Sequence, residues 1–182
     1  GDAGLRNVRW ALTKQQSNGW IADCCLSSPG SPLTHTLGYA LRGMVEAWRF
    51  SEDPQFLAAA RRTADALVRV TDTDGKLAGQ WRDDWTPAAD WVCLTGSVQI
   101  AHCLLLLYCD TGESAYLATG RRLNAWVRRT VALRGPEAVR GAIRGSFPVD
   151  GAYVRYEYLN WAAKFFIDSN RCERAIVEER DR

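Results

Sequence analysis

The chain repeats itself with a period of about 60 residues, and no other feature narrows its fold as much. Residues 50–62 (FSEDPQFLAAARR) align with residues 109–122 (CDTGESAYLATGRR). Phe56 falls on Tyr116, Leu57 on Leu117, and Arg61 and Arg62 on Arg121 and Arg122, all 60 positions apart. Upstream, Leu33 and Thr34 correspond to Leu94 and Thr95 at an offset of 61. Downstream, residues 74–81 (DGKLAGQW) resemble residues 140–147 (RGAIRGSF). A repeat of this size is one supersecondary unit that buries its apolar face only by stacking on its neighbours.

Each unit reads as two helices. The first kind is expected over 34–48, 92–108 and 157–170, and the second over 54–70 and 114–131, with a preceding second-type helix over 5–16. No run reads as a strand. Residues 92–108 are apolar nearly all round, which predicts a helix buried on most sides. Residues 114–131 carry Tyr116, Leu117, Leu123, Trp126 and Val127 on one face and arginines on the other, the pattern of an amphipathic outer helix. Arg61, Arg62, Arg121 and Arg122 read as solvated. Inner-to-outer connections are tight, with Ser51, Asp53 and Thr111 as cap candidates. Outer-to-inner connections are long: 17–33, 72–90 and 132–156. Side-by-side packing puts the long loops on one face, and loops of that length in a compact domain are commonly functional.

Inner and outer helices, with short turns below and long loops above, describe an α/α toroid. The residues also carry a family likeness. Residues 10–20 (WALTKQQSNGW) look like a helix-end element of toroid proteins, and residues 32–43, 91–96 and 158–166 resemble inner helices of six-hairpin, glycosidase-like toroids. The likeness covers about 10–170. It implies an all-α, six-hairpin-type toroid and a role in polysaccharide metabolism or biosynthesis. A closed six-hairpin ring needs roughly twice this length. The chain is therefore read as one α/α-hairpin repeat domain over 1–182, with about three hairpins, forming a fragment or half of a larger toroid. A second copy or a missing half would then cover the apolar flanks of 92–108.

Composition sets limits. With 47% hydrophobic and 24% charged residues and a net charge of +2, the chain is neither disordered nor a strongly basic nucleic-acid binder. No apolar stretch is long enough to span a bilayer. The six cysteines contain no C-x-x-C pair and read as mostly reduced, buried thiols, which suits a cytoplasmic setting. There is no P-loop and no nucleophile elbow. No cofactor and no metal site is expected.

The candidate site lies on the long-loop face. Trp20, Trp81, Trp85, Trp91, Tyr153, Tyr156 and Trp161 are flat rings that could stack on sugar faces, with Arg155 and Asn160 to bind hydroxyls or a uronate. Lys164 is a further cation near the third loop. Asp84, Asp90 and Glu157 are candidates for the paired carboxylates of glycoside hydrolysis. His35, at the start of an inner helix, is a candidate base for proton abstraction beside a uronic carboxylate, with Tyr153 or Tyr156 as acid. His102, mid-helix among leucines, reads as structural. The leading expectation is a carbohydrate-active protein that binds or processes an oligosaccharide or polysaccharide, as a glycoside hydrolase or as a lyase or epimerase of uronic acids. Two others stay open: a non-catalytic binding or assembly module in polysaccharide biosynthesis, and a terpenoid cyclase or prenyltransferase-like toroid. In the last, Asp90 and Cys93 would suggest zinc ligands.

Overall fold

The computed structural model describes residues 1–25 and 28–180. Among these residues six α-helices follow in order: α1 (Asp2–Leu12), α2 (Thr34–Ser51), α3 (Pro54–Val70), α4 (Leu94–Thr111), α5 (Ser114–Arg128) and α6 (Asn160–Arg180). Helices α2, α4 and α6 stand side by side as the inner layer, while α3 and α5 back them as the outer layer. The fold is all-α and follows the expected alternation, forming an incomplete α/α toroid.

Every expected helix except 54–70 shifts at one or both ends. Val92 and Cys93 form a short strand, β1, which pairs antiparallel with β2 (Ser146–Phe147). The second long loop is thereby hydrogen-bonded to the third before α4 begins. Cys93 then caps α4, its Sγ accepting from the Gly96 N–H. Helix α6 starts at Asn160, three residues later than expected, and runs on to Arg180. Its outward-looking sequence beyond Asn170 hides the continuation, because Glu173 is held there by Asn124 and Arg128 of α5.

Helix α4 is buried over most of its length, as its composition predicts. Its flanks, however, are covered within the chain. Helices α2, α5 and α6 all pack on it and bury those flanks. Small residues set these approaches. A Cβ on Gly38 would strike the Gln99 side chain, and one on Gly96 would strike the backbone at Thr34 and His35.

The repeat is visible in its turns. Glu52 and Gly112, 60 positions apart, both close their helices in the left-handed region, at φ 57° and 72°. Asp53 and Glu113 both cap the following helix through a backbone N–H. A second repeated device fixes the long loops. Gly19 and Gly75, both at φ +85°, lie flat against the backbone carbonyls of Arg62 and Arg122, which are again 60 positions apart. A side chain at either glycine would overlap that carbonyl, and only glycine adopts this φ without cost.

Candidate functional site

Three long loops meet over the N-terminal ends of α2 and α4. Loop one is stitched to loop two by Asn18, whose side chain donates to the Asp83 carbonyl and whose own carbonyl accepts from Trp85 Nε1. Trp20 meets Trp85 edge-on at 5.4 Å, and Trp85 meets Trp81 at 6.3 Å. All three rings are buried. Trp81 Nε1 donates to Thr34 Oγ1 at 3.0 Å. The rings therefore close the top of the core and present no face to solvent. This corrects the expectation that Trp20, Trp81 and Trp85 offer stacking platforms: large indoles gain most by burial once their N–H finds a partner. Trp91 packs over Gly79 and contributes to a cavity of about 280 Å³ between the loops, beside Thr36 and Gln80.

The carboxylates lie apart from this centre. Asp84 is fully exposed, and its Oδ1 accepts from the Thr86 N–H and hydroxyl at 2.8 and 2.6 Å. Those bonds hold its carboxyl below the usual range, the opposite of what a general acid requires. Asp90 is exposed in a shallow groove made by its own loop with Val70 and Asp72. Glu157 is exposed, and its backbone carbonyl accepts from the Gly145 N–H. Arg155 and Asn160 are exposed, and Tyr156 projects into solvent.

His35, Tyr153 and Trp161 do come together. The His35 ring lies 5.2 Å from Tyr153 and 4.8 Å from Tyr39. Trp161 Nε1 donates to the Tyr153 hydroxyl at 3.0 Å, and its ring is partly exposed. His35 Nδ1 lies 2.6 Å from Gln99 Oε1. An amide oxygen only accepts, so Nδ1 carries the proton and Nε2 keeps the free lone pair. Burial holds the His35 imidazolium below the usual histidine range, against the Gln99 bond. Burial also pushes the Tyr153 phenol up, opposed by the Trp161 bond. Near neutral pH the pair is thus a neutral imidazole beside a protonated phenol.

Directly below, the inner helices enclose a cavity of about 270 Å³ lined by Tyr39, Arg42, Gln99, His102, Lys164 and Phe165, among others. His102 lines it and accepts from Arg42 Nη1 at 3.0 Å. Burial and then the Arg42 charge push His102 down to about 4. Arg42 and Gln99 carried no sequence signal of their own. Gln99 sits in an apolar run, and its partner His35 is 64 positions away.

No family model matches the chain, and no curated protein sequence does. Solved structures do. Cellobiose 2-epimerase from Spirochaeta thermophila DSM 6192 aligns with a TM-score of 0.62 at 15% identity, over 77% of this chain and 36% of the epimerase. An unsaturated glucuronyl hydrolase from Bacillus sp. GL1, responsible for the degradation of glycosaminoglycan, aligns at 0.61 and 13%, over 93% and 53%. A polysaccharide lyase aligns at 0.63 and 13%, over 94% and 53%. The fold is a partial α/α toroid, similar to these six-hairpin glycosidase-like enzymes. The chain spans about half the length of these structures or less. At such identities the likeness fixes the toroid architecture and nothing finer. The expected link to polysaccharide biosynthesis finds no support among these neighbours.

In the partial toroid, the six cysteines are free thiols. Burial pushes the Cys93 thiol up to about 12, so its sulfur serves as a helix cap and not as a ready thiolate ligand. No group of three or more His, Cys, Asp or Glu side chains able to hold a metal occurs among the described residues. Nor is any helix among them long and apolar enough to cross a membrane.

Proposed function

We propose that the toroid's long-loop face binds an oligosaccharide or polysaccharide, and that His35 and Tyr153 act on it as a base–acid pair. The observation that carries this reading is the His35–Tyr153 contact of 5.2 Å together with the tautomer set by Gln99. His35 Nε2 is free to accept a proton from a sugar carbon made acidic by an adjoining carbonyl or carboxylate group. The electron pair left behind forms a carbon–carbon double bond as the bond to the glycosidic oxygen breaks. The Tyr153 hydroxyl then protonates that oxygen. Both groups sit in the protonation states the step needs at neutral pH. Trp161, with its exposed ring and its N–H on Tyr153, is the stacking surface of this mouth. The carbohydrate-active neighbours support the substrate class.

Hydrolysis by Asp84, Asp90 and Glu157 is the weaker reading, since all three are exposed. The test is a tryptophan fluorescence titration with neutral and uronic oligosaccharides, followed by an assay for the ultraviolet absorbance of the new double bond. A saturable change that disappears in Trp161→Ala is expected. His35→Ala and Tyr153→Phe should each lower turnover by about 100-fold or more with binding retained. Binding without turnover in the parent chain would instead favour a non-catalytic glycan module. No response to any sugar from the folded chain would sink the proposal.

A further inference from the structure

We infer that the cavity between α2, α4 and α6 is a carboxylate subsite, which takes the acid group of a uronic sugar. The inference rests on the glycan reading above and names the substrate class for it. The polar groups lining the cavity are nearly all hydrogen-bond donors. Arg42 and Lys164 only donate. His102 Nδ1 accepts from Arg42, so the ring proton is on Nε2 and that nitrogen donates too. Gln99 commits its oxygen to His35, which leaves its Nε2 hydrogens. That nitrogen is buried with no partner among the described residues, in a side chain only 4% exposed. Leaving such a donor unpaired is costly. Of the polar side chains that line the cavity, only the Tyr39 hydroxyl readily accepts as well as donates.

A neutral sugar brings hydroxyls that donate as well as accept, so it would leave this lining poorly matched. A carboxylate only accepts. The two carboxylates already nearby do not fill the role. Glu46 pairs with Arg42 at 2.6 Å and Asp168 with Lys164 at 2.7 Å, each within its own helix through half-exposed side chains. Such pairs are weak and screened, so the cations remain available to a better-placed anion. The volume equals about nine waters, room for a sugar's acid group and the carbon that bears it, beside the Tyr39 and Phe165 rings. Those rings are 5.9 Å apart, and Tyr39 touches His35. An acid group held in the cavity thus lies next to the base that would deprotonate the adjoining carbon.

The test uses the full chain labelled with ¹⁵N. The side-chain amide of Gln99 is assigned by its loss in Gln99→Met, and the Trp161 indole N–H by its loss in Trp161→Ala. Both are followed during titration with D-glucuronate, D-glucose, propionate and a neutral oligosaccharide. Glucuronate should move the Gln99 signal saturably, glucose should not, and propionate should bind at least about tenfold more weakly. Arg42→Met and the more exposed Lys164→Met should each weaken glucuronate by about 10- to 100-fold. Equal binding of propionate and glucuronate would overturn the sugar assignment. Equal shifts with glucose and glucuronate would overturn the carboxylate subsite and leave the glycan reading intact. So would a neutral oligosaccharide that moves Trp161 while no acid moves Gln99. Silence from both signals would overturn both.

Discussion

His102 shows how one placement governs both stability and chemistry. Folding buries its ring beside Arg42 and takes its pKa from the ordinary 6.5 to about 4. Between those values the unfolded chain binds a proton that the folded chain refuses. Stability is therefore complete above 6.5 and is lost as pH falls towards 4. His35 shifts in the same direction and adds to the same slope. The urea midpoint should fall steadily from pH 7 to pH 5, and His102→Gln should flatten that fall. A slope unchanged in His102→Gln would place the titrating group elsewhere. Gly19 makes a second residue-scale case. Alanine there would be strained at φ +85° and would overlap the Arg62 carbonyl, so Gly19→Ala should cost about 2–4 kcal/mol by chemical denaturation. At this scale the sequence was only partly legible. His35 could be found because it starts an inner helix on the loop face. Gln99, Arg42 and the lining role of His102 could not, since each gains its meaning from a helix about 60 positions away. The tryptophans were visible as a group, but loops without periodicity do not reveal which way a ring turns.

Helices were the most legible elements, because their apolar spacing and caps are local. The predicted 54–70 helix matches α3 at both ends, with Asp53 as its cap. The short β1–β2 ladder was not legible, since pairing between residues 53 and 55 positions apart leaves no local pattern. The repeat also exposes an imperfect copy. Gly112 meets the left-handed requirement of its turn without strain, whereas Glu52 meets the same requirement with a side chain, at φ 57°. Glu52→Gly should therefore raise stability by about 1 kcal/mol, seen as a higher thermal midpoint. Asp53→Ala, one residue on, should lower it by about 1 kcal/mol through loss of the cap on Gln55 N–H. Opposite signs at adjacent positions separate backbone strain from capping.

For the whole molecule, all three apolar clusters draw on the outer helix α5 and on the inner helix α4. Because the clusters share those helices, circular dichroism and tryptophan fluorescence should report one coincident unfolding transition. Two separated transitions would show that the α6 side melts on its own. Iodide gives an independent check on the loop face. It should quench Trp10 and Trp161 and spare Trp20, Trp81 and Trp85, so that Trp161→Ala removes a large part of the quenchable emission.

The glycine contacts at Gly19 and Gly75 imply something about shape as well as stability. Each pins the loop entering an inner helix to a carbonyl on the following outer helix. The turn from one hairpin to the next is thus set by a backbone abutment and not by bulky side chains. The same wedge, used twice, imposes the same angular step twice. Cleft width then becomes a property of loop anchoring. Residues lining the groove could drift to suit new ligands while the arc they stand on keeps its radius.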